Sequence, residues 1–339
     1  MNDQQSTPHN AYFNDSDASV AYQNDLHQLL EKLTPFLSTK ELRNLRDSKL
    51  RPNPQSFSEK HYLQTACELT ICGHFAAAYP DTFKYEPKLN PPKDVDCSFS
   101  VDGVNYNIEV KCADYTKTEE IDSQDAFHLN FLGRHPDFLK LPEELTQFFN
   151  PESSKPLVVQ PNLDNKLKDF LESAHQKFSP TPSETELNIL AVCCDTPQDM
   201  QKWLHYLVGH NGLFSDAPFA NPETYSRVDA VYFTNLYHRH KHYFSKGELT
   251  RHWSLQDSFG FIISNRYRLL AKKDLIESSL SLIPNYSKEL LAYEMDDDFC
   301  AKGALPPIVK QGLFIQSFVA EHLVPHGIKT FDLLSSKLK

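Results

Sequence analysis

Asp96, Glu109 and Lys111 are the residues of this chain whose types and spacing suggest chemistry. Residues 93–111 form two alternating apolar and polar runs joined by Asp102 and Gly103. An Asp-Gly pair between such runs predicts a two-residue type I′ hairpin, because both central residues need positive φ. With Val101 facing Val104, Asp96 falls opposite Glu109 and Asp94 opposite Lys111. Val95, Cys97, Phe99, Val101, Val104, Tyr106, Ile108 and Val110 then share a core face, and Asp96, Ser98, Ser100, Asn105, Asn107, Glu109 and Lys111 share the other. Directly opposed Cβ atoms are about 5 Å apart, so two opposed carboxylates destabilise a sheet unless positive charge lies between them. A divalent cation meets that need. Hard oxygen ligands suit Mg²⁺ or Mn²⁺, which keep several waters and leave room for a phosphate. Lys111 could then orient an attacking water or offset charge in a transition state.

The element expected to face this hairpin precedes it. Over residues 58–78, Tyr62, Leu63, Ala66, Leu69, Ile71, Phe75 and Ala76 recur at helical spacing, with Ser58 as the expected N-cap. Glu68 lies inside that apolar run, where a carboxylate either reaches solvent on a half-buried helix or turns inward to meet a cation.

This order of parts, a helical Glu, an Asp, then Glu-x-Lys on the partner strand of a hairpin, resembles the PD-(D/E)XK nuclease superfamily. In motif terms the resemblance covers residues 58–112, and it extends through predicted strands to about 236. It implies an α/β protein: a restriction-endonuclease-like α/β/α core around a mixed sheet, flanked by N-terminal and C-terminal helical segments. It makes Asp96 and Glu109 ligands of Mg²⁺ (or Mn²⁺), Glu68 an auxiliary ligand and Lys111 the catalytic lysine that helps activate water. Val95 stands where the family name has Pro, a residue with no chemical part. The implied activity is Mg²⁺-dependent endonucleolytic hydrolysis of DNA, of a restriction or anti-phage defence type, leaving 5′-phosphates and often carried out by a homodimer. The motif leaves open an RNA-cleaving nuclease of the same fold, and a catalytically silent binding or assembly module.

With 339 residues and 40% hydrophobic content, the chain can build one large core or two domains. No stretch of about 18 apolar residues occurs, and the first residues have neither a basic nor an apolar leader segment, so a cytoplasmic protein away from membranes is expected. Seven cysteines lie mostly in apolar runs and read as buried free thiols of a reducing compartment. Without a Cys-x-x-Cys pair a zinc ribbon has no candidate, and the place of Cys112 on the core face argues against a nucleophile. Ten glycines, none in a phosphate-cradling pattern, leave no nucleotide loop.

A net charge of −11 is awkward for a nucleic-acid enzyme, whose affinity comes mainly from Lys and Arg at phosphates. Local distribution matters more than the total. Basic residues interleave with aromatics at Tyr237, His238, Arg239, His240, Lys241, His242 and Tyr243, at Arg251, His252 and Trp253, and at Arg266, Tyr267 and Arg268. Such interleaving suits phosphate contact and base stacking, which nominates His238, Arg239, Lys241, Arg251, Arg266 and Arg268 for nucleic-acid binding. The first run also reads as a strand end entering a solvated loop, and His238, His240 and His242 would share one side of such a strand and could bind a transition metal.

Four regions are expected. Residues 1–18 form a polar, disordered tail, and 19–52 a helical segment with helices near 19–33 and 38–49. The nuclease-like core takes 53–265, with an insertion at about 113–155, and 266–339 is helical. Within the core, strands are expected at 157–160, 187–194 and 228–233, and helices at 163–178 and 200–208. Gln160 and Gln176 are candidates to approach the carboxylates, Asp195 reads as a turn former, and the acidic run 294–298 as a solvated loop. Helices are expected at 267–282 and, strongly apolar, at 306–323.

Overall fold

A computed structural model describes residues 8–115, 120–121, 123–129, 140, 143–145, 156–159, 163–244, 249–292 and 318. Its centre is a six-stranded mixed sheet formed by β1 (Lys84–Tyr85), β2 (Cys97–Val101), β3 (Val104–Cys112), β6 (Glu186–Cys193), β7 (Ala230–Thr234) and β8 (Gly260–Ser264), in the order β1-β2-β3-β6-β7-β8. The β1-β2, β2-β3 and β7-β8 pairs are antiparallel, whereas β3-β6 and β6-β7 are parallel. Parallel neighbours need crossover connections, and helices supply them. The first crossover contains α5 (Asp164–Lys177) and the second contains α6 (Pro197–Val208). A separate parallel pair joins β4 (Phe127–Leu129), inside the expected insertion, to β5 (Leu157–Val159), just after it.

The other face of the sheet is covered by α4 (Glu59–Ala78). Phe75 of α4 stacks on Phe99 of β2 at 4.4 Å, and Phe99 in turn on Tyr106 of β3 at 5.1 Å. Ser58 precedes α4 but its hydroxyl makes no capping bond; it lies 3.0 Å from His61 Nδ1 instead. Outside α4 runs α2 (Asp17–Leu33), close enough that a Cβ on Gly73 would come within 2.8 Å of Leu29 Cγ. The short α3 (Thr39–Asn44) starts with the reciprocal Ser38/Glu41 capping box and continues into a π-helical turn, Leu45–Leu50.

Three expectations need correction. Residues 8–18 are no disordered tail: Pro8–Tyr12 is a helical turn (α1), and Tyr12 is fully buried against Tyr62 and Tyr243, its hydroxyl donating to Glu59. One large aromatic anchors an otherwise polar stretch. The run after β7 is a helix, α7 (Leu236–Lys241), and not a strand end. The C-terminal helix starts later than 267: after β8, an edge strand absent from the sequence reading, Asn265 ties the chain back by donating to Tyr225 O and Val228 O, and α8 (Lys273–Leu282) follows. A last short helix, α9 (Ser287–Ala292), ends the continuous part.

The expected helix at 306–323 and the acidic run 294–298 lie outside the described residues, except Phe318, which is buried near Phe259 and Tyr286. Among the described residues, no helix is long and apolar enough to cross a membrane. All six cysteines described are buried free thiols.

Candidate active site

The hairpin takes the expected turn, with φ of 50° at Asp102 and 79° at Gly103. Val101 pairs with Val104 and Cys97 with Ile108, and there the ladder slips: the Asp96 N–H also donates to Ile108 O, a bulge that offsets Asp96 from the direct Glu109 pairing expected. Beyond it Val95 N–H bonds Pro87 O, so the strand leaves the ladder before Asp94 could pair with Lys111. The face of the hairpin that carries the carboxylates is covered. Asn107 and Glu109 are buried, because β3 is an interior strand with helices on both sides.

Glu109 is fully buried, and its Oε1 lies 2.6 Å from Lys111 Nζ and 2.7 Å from Lys177 Nζ. Its Oε2 has no hydrogen-bond partner among the described residues. Asp96 Oδ2 accepts the Val110 N–H at 2.6 Å, which turns this carboxylate toward β3. Burial, then the charge of Glu109, push the Asp96 carboxyl up to about 7, against the pull of Lys177, the Val110 N–H and Lys111. The charges of Glu109 and Asp96 hold the Lys177 ammonium above its ordinary range although burial acts the other way.

Glu68 turns inward from α4. Its Oε1 accepts from Lys49 Nζ at 2.7 Å and from Tyr85 OH at 2.9 Å, and Lys49 also meets Glu86 Oε1 at 2.7 Å. Burial and the nearby Asp96 raise its carboxyl to about 7, while Lys49 and Tyr85 oppose the rise. The structure therefore brings Glu68, Asp96, Glu109 and Lys111 into one electrostatic neighbourhood. The three carboxylates are not among the groups of three whose ligand atoms lie within 4.8 Å of one another; Glu68 stands back, held by Lys49.

Lys49, Tyr85, Glu86 and Lys177 were missed by the sequence reading. Lys177 ends α5, where a cation complements the helix dipole, but that signal marks many lysines. Gln176, its neighbour, faces elsewhere: its backbone O accepts from Asn90 and its side chain from Lys93. Gln160 lies outside the described residues. Two surface clefts, of 310 and 770 Å³, are lined by α2, α4 and their neighbours and do not include Asp96 or Glu109.

The proposed basic patch does not assemble. His238 and Arg239 are buried, and Arg239 donates to the backbone of Thr250 and Arg251. Lys241 lies 3.6 Å from Asp195, Arg251 pairs with Asp257, Arg266 with Asp216, and Arg268 donates to Asn265 O. Nor do the three histidines share a side. On the helix, His238 and His242 project together and His240 points the other way, buried between Tyr22 OH at 2.8 Å and Thr70 Oγ1 at 2.9 Å. Asp195 is more than a turn former: it is buried, with Oδ1 3.5 Å from His238 Nδ1 and 3.3 Å from His242 Nε2.

Comparison of the chain with protein-family models, with curated proteins and with solved structures gave no match.

Proposed function

We propose that this protein is a metal-dependent phosphodiester hydrolase acting on DNA, an endonuclease built on a restriction-endonuclease-like core of the PD-(D/E)XK kind. The observation that carries the reading is the carboxylate pair: Asp96, just before β2, reaches the Val110 N–H next to Glu109 of β3, with Glu109 Oε2 buried and unpartnered among the described residues and Lys111 at 2.6 Å from Oε1. The strand order supports it, since a helix, an antiparallel meander, a crossover helix and a parallel strand come in the sequence such a core requires.

All donors at the pair are hard oxygens, which fits Mg²⁺ or Mn²⁺ held by Asp96 and Glu109, with Glu68 behind them. Bound there, the ion would supply Lewis acidity toward a phosphate and acidify a water. The chain's own residues do the rest. The Val110 N–H fixes the Asp96 carboxylate, and Lys49 fixes Glu68. Lys111 is placed to hold a water for in-line attack, and Lys177 to offset charge growing on the phosphoryl oxygens. Lys49, Lys111 and Lys177 offset most of the charge of Glu68, Glu86, Asp96 and Glu109 at the site.

A second reading has its own support. Lys111 and Lys177 already balance Glu109, so a catalytically silent module with an internal ion-pair cluster is self-consistent. Incubating purified protein and Mg²⁺ with plasmid DNA and sequence-matched RNA separates the readings. Asp96→Ala, Glu109→Ala and Lys111→Ala should each slow DNA cleavage by roughly 100-fold to 1,000-fold or more. Undiminished cleavage in all three would remove the site, RNA cleavage alone would change the substrate, and inert wild type on both would leave the silent module. Cytoplasmic location, a homodimer and a role in defence belong to the same proposal.

A further inference from the structure

Away from the carboxylate pair, β6 ends at Cys193, and the next residue, Cys194, uses its carbonyl to accept the His238 N–H of α7 at 3.2 Å. That bond brings Asp195 under one face of α7. His238 and His242 are one helical turn apart on that face, with ring centroids at 4.6 Å. Their nitrogens and the Asp195 carboxylate lie within 4.8 Å of one another.

The separations have a chemical meaning. Asp195 Oδ1 lies 3.3 Å from His242 Nε2 and 3.5 Å from His238 Nδ1, long for a charged hydrogen bond. Donor atoms about 2.0–2.1 Å from a tetrahedral ion are about 3.3–3.4 Å from each other. Lys241 approaches the other carboxylate oxygen, Oδ2, at 3.6 Å and so can orient Asp195 without occupying Oδ1. Side-chain exposures of 7% for Asp195, 4% for His238 and 27% for His242 describe a shielded site with one wet side.

We propose that Asp195, His238 and His242 form a binding site for a transition ion of the Zn²⁺ class. Two imidazoles and one carboxylate select such an ion over Mg²⁺. The ion would staple the end of β6 to α7. Because His240 of the same helix bonds Thr70 of α4, that staple also steadies the helix carrying Glu68. This site is independent of the phosphodiesterase reading and can be tested without activity. The other gathering of ligand types, Cys67, Cys112 and Cys193, lies wholly within the core and is the natural competitor.

Zn²⁺ titrated calorimetrically into the full-length protein should bind at one equivalent. Lys273→Ala, exposed on α8, should leave this unchanged. Loss of an outer-shell partner costs metal affinity about 10–100-fold, so removing the direct ligand His242 (His242→Ala) should weaken binding by roughly 100-fold or more. His242 is partly exposed, which keeps that variant folded. X-ray absorption of zinc-loaded wild type needs no variant and should show nitrogen and oxygen neighbours only. Sulfur neighbours would move the ion to the cysteines, and undiminished binding in His242→Ala or no binding in wild type would equally overturn the proposal.

Discussion

Asp96 stands half-buried just before β2 and Asp195 buried just after β6, yet their carboxyls are driven in opposite directions. Burial raises both. At Asp96 the next influence is a second carboxylate, Glu109, and the carboxyl climbs to about 7. At Asp195 the next influences are hydrogen bonds from His238 and His242, and the carboxyl is held down to about 2. What an aspartate can do in this sheet is set by its neighbours' chemistry more than by its depth. The first environment asks for outside positive charge, and the second has its own.

The comparison can be broken most forcefully at Glu109. Glu109→Ala leaves Lys111 and Lys177 with Asp96 as their nearest remaining carboxylate, and with both lysines partly exposed the loss should fall below the roughly 3–5 kcal/mol of a fully buried pair, at about 2–3 kcal/mol. Urea unfolding without metal reads this; a change below about 1 kcal/mol would mean the lysines relax into solvent.

Next is Asp195→Asn. A carboxyl at about 2 in the fold and about 3.9 in the unfolded chain contributes stability that is present above pH 4 and lost as pH falls toward 2. The variant should therefore be less stable by roughly 1–3 kcal/mol at pH 7, and the gap should narrow by pH 3 in matched melts.

Asp96→Asn should move the other way. Its raised carboxyl gives stability below pH 4 that disappears as pH rises through about 7. At pH 8 without divalent ions the variant should be more stable than wild type, by about 1–2 kcal/mol after discounting for partial exposure. Mn²⁺ should abolish this advantage, because it favours the ionised form.

Arg251→Ala and Arg266→Ala sit at the small end, within about 0.5 kcal/mol of wild type, since both side chains are exposed and paired on the surface. A loss of DNA affinity beyond about tenfold in either would restore the basic patch that the fold does not assemble.

The hairpin was legible from residues alone because Asp102 and Gly103 fix a turn, and the turn fixes the pairs behind it as far as Cys97 and Ile108; the slip at Asp96 and the departure at Val95 lie beyond its reach. Glu68 was legible as a helical position, but its partner Lys49 was not, since that contact joins the π-helical turn to α4 across a break in the chain. Lys177 could be found only through the parallel pairing of β3 with β6, which no local pattern announces. The 237–243 run misled for a simpler reason: histidines at alternate positions satisfy a strand's period, and two of them also satisfy a helix's. At the N-terminus, polar composition outweighed Tyr12, the residue that decides the outcome. Short β8 opens on Gly260, where a side chain would collide with the Tyr232 ring, so the residue that permits the strand also hides it from propensity.

The β3-β6 pairing has a consequence in time. The turn that brings Asp96 near Glu109 closes a two-residue loop, whereas Asn105 meets Glu186 only after the whole intervening segment has been drawn together. Local contacts of this kind form within microseconds, and long closures carry a greater entropic cost and arrive later. The hairpin should therefore exist before Lys177 reaches it, so that during folding the carboxylates meet each other first and their second lysine last.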